Sequence, residues 1–247
     1  MFNGCTSLTT APVLSATTLE SSCYASMFQN CTSLTTAPEL PATTLEDNCY
    51  QSMFAGCTSL TTAQTICATT IPKYAFENMY RGCTSLTTPP SLPATSIGLA
   101  SYYGMFAGCT SLTVAPQICA TTVASGSCAY MFYGCTGLTT APSELPATTL
   151  AVICYTDMFS GCTSLTTAPT LPATTLVNGC YNYMFQGCSN LNYIKAMFTM
   201  TPNTSYTNSW VSGVAASGTF VKNSAAQWDV TGVNGVPNGW TIETATS

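Results

Sequence analysis

Met27-Phe28-Gln29-Asn30-Cys31-Thr32-Ser33-Leu34-Thr35-Thr36-Ala37-Pro38-Glu39-Leu40-Pro41-Ala42-Thr43-Thr44, continued by Leu45-Glu46-Asp47-Asn48-Cys49-Tyr50-Gln51-Ser52, is one unit of a repeat. Methionine opens a unit again at Met1, Met53, Met79, Met105, Met131, Met158 and Met184, 26 residues on each time except for one step of 27. The extra residue belongs to Ser143-Glu144, just after Pro142, where a loop absorbs an insertion at small entropic cost. Eight units of one period are the mark of a solenoid, in which each unit buries its apolar face only against its neighbours.

Two periodicities lie inside the unit. Leu45, Cys49, Met53, Phe54 and Cys57 follow i, i+4, i+8, i+9, i+12, a spacing that predicts one apolar face of a short helix. Thr44 is placed to cap its start, with Asp47 three residues on. Gly4, Asn30, Gly56, Gly82, Gly108, Gly134, Gly161 and Gly187 stand at its end, where a left-handed residue stops a helix. Beyond it, Cys-Thr-Ser-Leu-Thr-Thr-Ala-Pro favours a strand, which the proline ends by withholding a ladder donor. The expected fold is therefore an α/β repeat solenoid: a parallel sheet on one face, short helices on the other. At ~4.8 Å per stacked strand the eight units span on the order of 40 Å.

This reading gives eight repeats over residues 1–194 and a non-repeat, β-rich C-terminal cap over 195–247. The tail lacks a further Gly-Cys step and holds all three tryptophans, Trp210, Trp228 and Trp240. Gly218-Thr219-Phe220-Val221-Lys222-Asn223 reads as a strand, and Gly235-Val236-Pro237-Asn238-Gly239-Trp240 as a turn into another. A solenoid needs its last apolar edge covered, and this tail suits that role. No such cap precedes Met1, so the N-terminal end is expected to join upstream sequence or a partner subunit.

Composition narrows function. The 247 residues carry 4 basic and 9 acidic side chains and no histidine. Net charge of -5 argues against nucleic acid, whose phosphates call for a basic stripe. No apolar run approaches the ~18 residues a transmembrane helix needs. Met1-Phe2-Asn3-Gly4-Cys5 has no basic start and no apolar stretch, so it does not read as a signal peptide. A catalytic triad lacks its histidine, and the carboxylates are scattered, with only Glu46 and Asp47 adjacent. No enzyme activity, metal or cofactor is expected.

Fifteen cysteines follow the repeat rather than ligand spacing. Cys5, Cys31, Cys57, Cys83, Cys109, Cys135, Cys162 and Cys188 follow the Gly or Asn of each unit; Cys23, Cys49, Cys154 and Cys180 precede a repeat methionine by four. Close Cys-x-x-Cys pairs are absent, so they are expected to stack as small buried hydrophobes. Thr9, Thr35, Thr61, Thr87, Thr113, Thr139 and Thr166 form a hydroxyl file along the expected strands, the candidate binding residues for a repetitive target such as a glycan or ice. Tyr24, Tyr50, Tyr102, Tyr155 and Tyr181 make a second file, expected to be packing.

Phe54-Ala55-Gly56-Cys57-Thr58-Ser59-Leu60-Thr61 and Phe159-Ser160-Gly161-Cys162-Thr163-Ser164-Leu165-Thr166 resemble the BspA-like branch of the leucine-rich repeats, and the likeness runs from residue 1 to about 195. Unit length, the opening methionine and the Pro-Ala-Thr-Thr segment depart from that branch. The tail is similar to those closing related repeat proteins of gut bacteria and their phages. The resemblance implies a surface or secreted adhesion module that binds a protein or glycan, located extracellularly or at the cell surface. A structural or receptor-binding part of a phage particle, located in the virion, is the alternative it implies. An ice-binding protein is a remoter one that rests on the threonine file.

Overall fold

Between Ser22 and Cys31 the backbone amides are shared out in alternation. Ser22, Tyr24, Ser26, Phe28 and Asn30 donate to Asp47, Cys49, Gln51, Met53 and Ala55 of the next coil, while Cys23, Ala25, Met27, Gln29 and Cys31 donate three residues back within their own coil. The same allotment recurs coil after coil as far as Gly187, which donates to Ser212. The segment expected to be helical is thus a run of linked four-residue turns, and half its amide donors leave the coil.

This corrects the expected α/β architecture. The computed structural model describes residues 1–245, and among these there is no helix; the protein is a β-solenoid with two parallel sheets. Coil spacing gives the physical reason. Packed helices need axes about 8–10 Å apart, whereas equivalent rings on this face lie only 5.4–5.7 Å apart between coils. A turn run is one backbone thick and fits that spacing. Each turn is closed by a left-handed residue, as at Asn48, Ser52 and Gly56, so the chain returns to the same orientation every four residues. Cys49, Met53 and Cys57 therefore face inward by turn geometry and not by helical pitch.

The Gly/Asn row does adopt the left-handed conformation, with φ between 60° and 76° from Gly4 to Gly187, but it ends a turn run rather than a helix. A Cβ at Gly134 would meet nothing within 4 Å, so substitution there is opposed by backbone conformation alone. Gly134→Val is expected to cost about 1–2 kcal/mol, read as a lower midpoint in urea with unchanged slope; an unshifted midpoint would contradict the assignment.

The strands are shorter than expected and lie elsewhere. In Cys-Thr-Ser-Leu-Thr-Thr the first residues form turns, such as the bond from the Leu34 amide to the Cys31 carbonyl. The column of the second threonine forms single bridges between coils, Thr10–Thr36–Thr62–Thr88, Val114–Thr140 and Thr167–Tyr193, and the first threonine donates its amide to the coil before it at Thr61, Thr87 and Thr139. Strands β1 (Thr70–Ile71), β2 (Ser96–Ile97) and β3 (Thr122–Val123) form one parallel sheet at the end of the Pro-Ala-Thr-Thr segment. Thr44, expected to cap a helix, instead bridges Thr18 there.

The stack continues into the tail. Strands β4 (Tyr193–Ala196), β5 (Thr219–Lys222) and β6 (Thr241–Thr244) pair in parallel as the second sheet, β5 falling on the stretch read as a strand. Trp210 takes the ring position after Phe185, whose amide bonds to its carbonyl, and Trp210 is fully buried. All three indole N–H groups reach main-chain carbonyls: Trp210 to Gly235, Trp228 to Phe198 and Trp240 to Ala215. Large rings can thus be buried here without leaving an unpaired donor.

The interior is a set of files. Phe2, Phe28, Phe54, Tyr80, Phe106, Phe132, Phe159 and Phe185 stack nearly parallel, with interplanar angles of 3–13°. Leu34, Leu60, Leu86, Leu112, Leu138, Leu165 and Leu191 make a second buried file.

Candidate functional site

The seven threonines of the hydroxyl file, Thr9, Thr35, Thr61, Thr87, Thr113, Thr139 and Thr166, are all exposed and occupy equivalent positions in successive coils. The Thr61, Thr87 and Thr139 hydroxyls donate to the Thr35, Thr61 and Thr113 carbonyls at 3.4, 3.3 and 3.0 Å. Each such hydroxyl spends its proton on the stack and keeps its lone pairs for solvent. At these three positions the file turns hydroxyl acceptors and methyl groups toward solvent.

Among the cysteines of the main ladder, Cys5 in the first coil is exposed and the other seven are buried. Each buried thiol points at the carbonyl of the ring residue in the preceding coil: Cys31 to Phe2, Cys57 to Phe28, Cys83 to Phe54, Cys109 to Tyr80, Cys135 to Phe106, Cys162 to Phe132 and Cys188 to Phe159, at 3.0–3.1 Å. Cysteine suits this place because it fills a small apolar gap and still offers a weak donor. Burial pushes the thiols of Cys57, Cys135 and Cys188 up to about 12, which keeps them protonated and unreactive at neutral pH. Cys128 stands in the aromatic row between Tyr102 and Tyr155 and is fully buried.

All fifteen thiols are free, and only Cys5, Cys23, Cys67 and Cys119 are exposed. A thiol reagent at pH near 8 is expected to label these four rapidly and the remaining eleven only after denaturation without reductant. More than about six fast thiols would show that the ladders open in the native state.

Tyr50, Tyr102, Tyr155 and Tyr181 are buried, and Tyr24 is half-buried and stacked on Tyr50 at 5.9 Å. This file packs the interior and offers no surface to a ligand. Glu46 is exposed, while Asp47 pairs with Lys73 of the next coil at 3.1 Å. Among the described residues no group of three His, Cys, Asp or Glu side chains is placed to hold a metal, and no helix is long and apolar enough to cross a membrane.

Two concave features escaped the sequence reading. One is an apolar groove of about 420 Å³ lined by Pro89, Pro90, Leu92, Pro93, Pro116 and Cys119. The other, of about 330 Å³, lies on the outer side of the turn run and is lined by Arg81, Tyr103, Ala107, Tyr130 and Tyr133. The signal for the second was present in the 26-residue register: Arg81, Ala107 and Tyr133 share one column and Tyr103 and Tyr130 fall beside it.

The model of the BspA type leucine rich repeat region matches residues 1–113 and 105–211, nearly the whole repeat array. The chain belongs to the BspA-type leucine-rich repeat family. Among solved structures, a leucine-rich repeat protein from Bacteroides ovatus ATCC 8483 is similar at 15% identity and a TM-score of 0.38, over 90% of this chain. This chain spans 62% of that protein's length. No match is found among curated proteins. As a BspA-type repeat array, the chain is a leucine-rich-repeat-type scaffold of the kind that mediates binding.

Proposed function

We propose that this chain is an adhesion module of a bacterial surface or secreted protein and recognises a protein or glycan outside the cell. The observation that carries this reading is the exposed hydroxyl file, seven threonines at equivalent positions in successive coils, three of whose hydroxyls donate to the coil before. Such a surface gains affinity by engaging several equivalent groups of a repetitive partner at once. Residues 1–194 form the binding array in this proposal, and 195–247 cap its last apolar layer.

The test is binding of the fluorescently labelled protein to epithelial and bacterial cells and to an array of extracellular-matrix proteins and polysaccharides. Saturable binding to at least one of these is expected. Replacing Thr35, Thr61 and Thr87 together by valine removes three hydroxyls while keeping shape, and is expected to weaken that binding about tenfold or more. Binding that withstands the triple change would move the contact off the file; no saturable binding at all would overturn adhesion.

A further inference from the structure

The depression on the turn-run face is built by a break in the repeat. In two adjoining columns the middle coil carries Gly104 and Ala107, while the coil before it carries Asn78 and Arg81 and the coil after it Tyr130 and Tyr133. Small residues make the floor and long ones the walls. A Cβ at Gly104 would run into the Asn78 amide oxygen, so a side chain in the middle coil would displace that amide and fill the floor. Tyr103 closes one end, its ring 5.2 Å from that of Tyr130, which in turn lies 5.8 Å from Tyr133.

Arg81 is the only arginine of the chain, and no carboxylate lies within 4.0 Å of it among the described residues. Its guanidinium instead donates to Asn78 Oδ1 at 3.4 Å. The Asn78 amide nitrogen donates to Glu77 Oε1, and Gln51 donates to Glu77 Oε2 at 2.7 Å. This relay engages the Glu77 carboxylate with two amides and aims a neutral oxygen at the guanidinium. The other acidic neighbour, Asp157, is buried behind the Tyr130 hydroxyl and also faces Ser160. The depression thus holds an exposed guanidinium with no direct ion pair among the described residues, beside three tyrosine rings, in a chain with 4 basic residues.

We infer that the depression lined by Arg81, Tyr103, Tyr130 and Tyr133 is a binding site for a carboxylate-bearing sugar ring, the terminal residue of an acidic glycan. The planar guanidinium matches a carboxylate in two parallel hydrogen bonds. Tyrosine offers an apolar ring face to the C–H side of a sugar and a hydroxyl to its polar edge. The volume, about 330 Å³, falls at the lower end of the ~300–1,000 Å³ of small-molecule sites and suits one ring rather than a chain. The site deepens the adhesion reading, on which it rests, by naming a partner chemistry and placing it away from the hydroxyl file.

The test uses the whole chain and three probes: N-acetylneuraminic acid, methyl β-glucuronide and, as the neutral control, methyl β-glucoside. Titration by saturation-transfer NMR and calorimetry is expected to show at least one acidic probe binding at least about tenfold more tightly than the neutral one, with affinity falling as salt is raised. Arg81→Gln is expected to abolish that preference and Tyr133→Ala to weaken binding about tenfold, while Lys195→Gln, at the other unpaired cation, leaves affinity unchanged. The Arg81 and Tyr133 side chains are exposed and Lys195 is half-buried, and unaltered melting confirms that each variant is folded. Equal affinity for the neutral probe, or full binding by Arg81→Gln, overturns the site. Cell adhesion without any response to the acidic probes also overturns it and leaves the adhesion reading standing. Acidic-sugar binding without cell adhesion overturns the adhesion reading instead.

Discussion

Raising the pH from about 8.5 to about 10.5 in the presence of reductant is expected to unfold the protein in one steep transition. Seven of the eleven fully buried thiols, Cys57, Cys83, Cys109, Cys135, Cys154, Cys162 and Cys188, are raised above their ordinary 9.0, chiefly by burial. Below pH 9.0 both folded and unfolded chains keep these protons, and stability does not depend on them. Above it the unfolded chain releases protons that the folded chain holds until about 12 at Cys57, Cys135, Cys154 and Cys188, so stability falls throughout that window. Each thiol removes about 1.4 kcal/mol per pH unit, and seven together remove on the order of 10. A domain holds about 5–15 kcal/mol in total, so the loss overtakes it about one unit above the ordinary thiol value. Buried Tyr80, Tyr155 and Tyr181, also raised by burial, steepen the fall above pH 10.0. Circular dichroism and tryptophan emission check this; an unchanged spectrum through pH about 11.5 would show that the thiols are not what limits alkaline stability.

Phe132→Ala is expected to cost about 3–5 kcal/mol and on the order of 10 °C in Tm. The ring is fully buried and stacks on Phe106 at 5.5 Å and Phe159 at 5.4 Å, so its removal opens a gap inside a file and strips one face from each neighbour. Because a solenoid is held coil to coil, the damage is expected to stay near the affected interface. Hydrogen exchange should show faster exchange around Phe106, Phe132 and Phe159 and near-native protection around Trp210. Tyr133→Ala, one residue along but exposed, is expected to change stability by less than about 0.5 kcal/mol. Equal losses in the two variants would contradict the inward and outward assignment of this pair.

The register, the buried cysteine and leucine files and the left-handed Gly/Asn row could be read from the sequence because each repeats at a fixed offset. The helix was misread because Leu45, Cys49, Met53 and Cys57 satisfy a helical template over three steps. Their unbroken spacing of four held the correction: a helix drifts about 40° per four residues, whereas a four-residue turn does not drift at all. The other two left-handed rows were hidden, since Tyr74, Tyr130 and Ile153 occupy them with φ of 57°, 59° and 53°, and nothing about tyrosine or isoleucine announces that conformation. Stacking imposes it, by demanding that alternate amides point along the axis. The Arg81 depression was illegible for a different reason. It is made by neighbours 26 residues apart, and a reading that looks for sameness between units passes over the place where they differ.

The alternation of amides in the turn run also bears on symmetry. In every coil the outgoing amides point toward the C-terminal end and the receiving carbonyls toward the N-terminal end. A twofold axis relating two such coils through their N-terminal sides would set carbonyl rows against carbonyl rows. Coil-to-coil contacts through this face are therefore heterologous, as they are inside the solenoid, and an operation of that kind that does not close propagates a stack instead of pairing two equal faces.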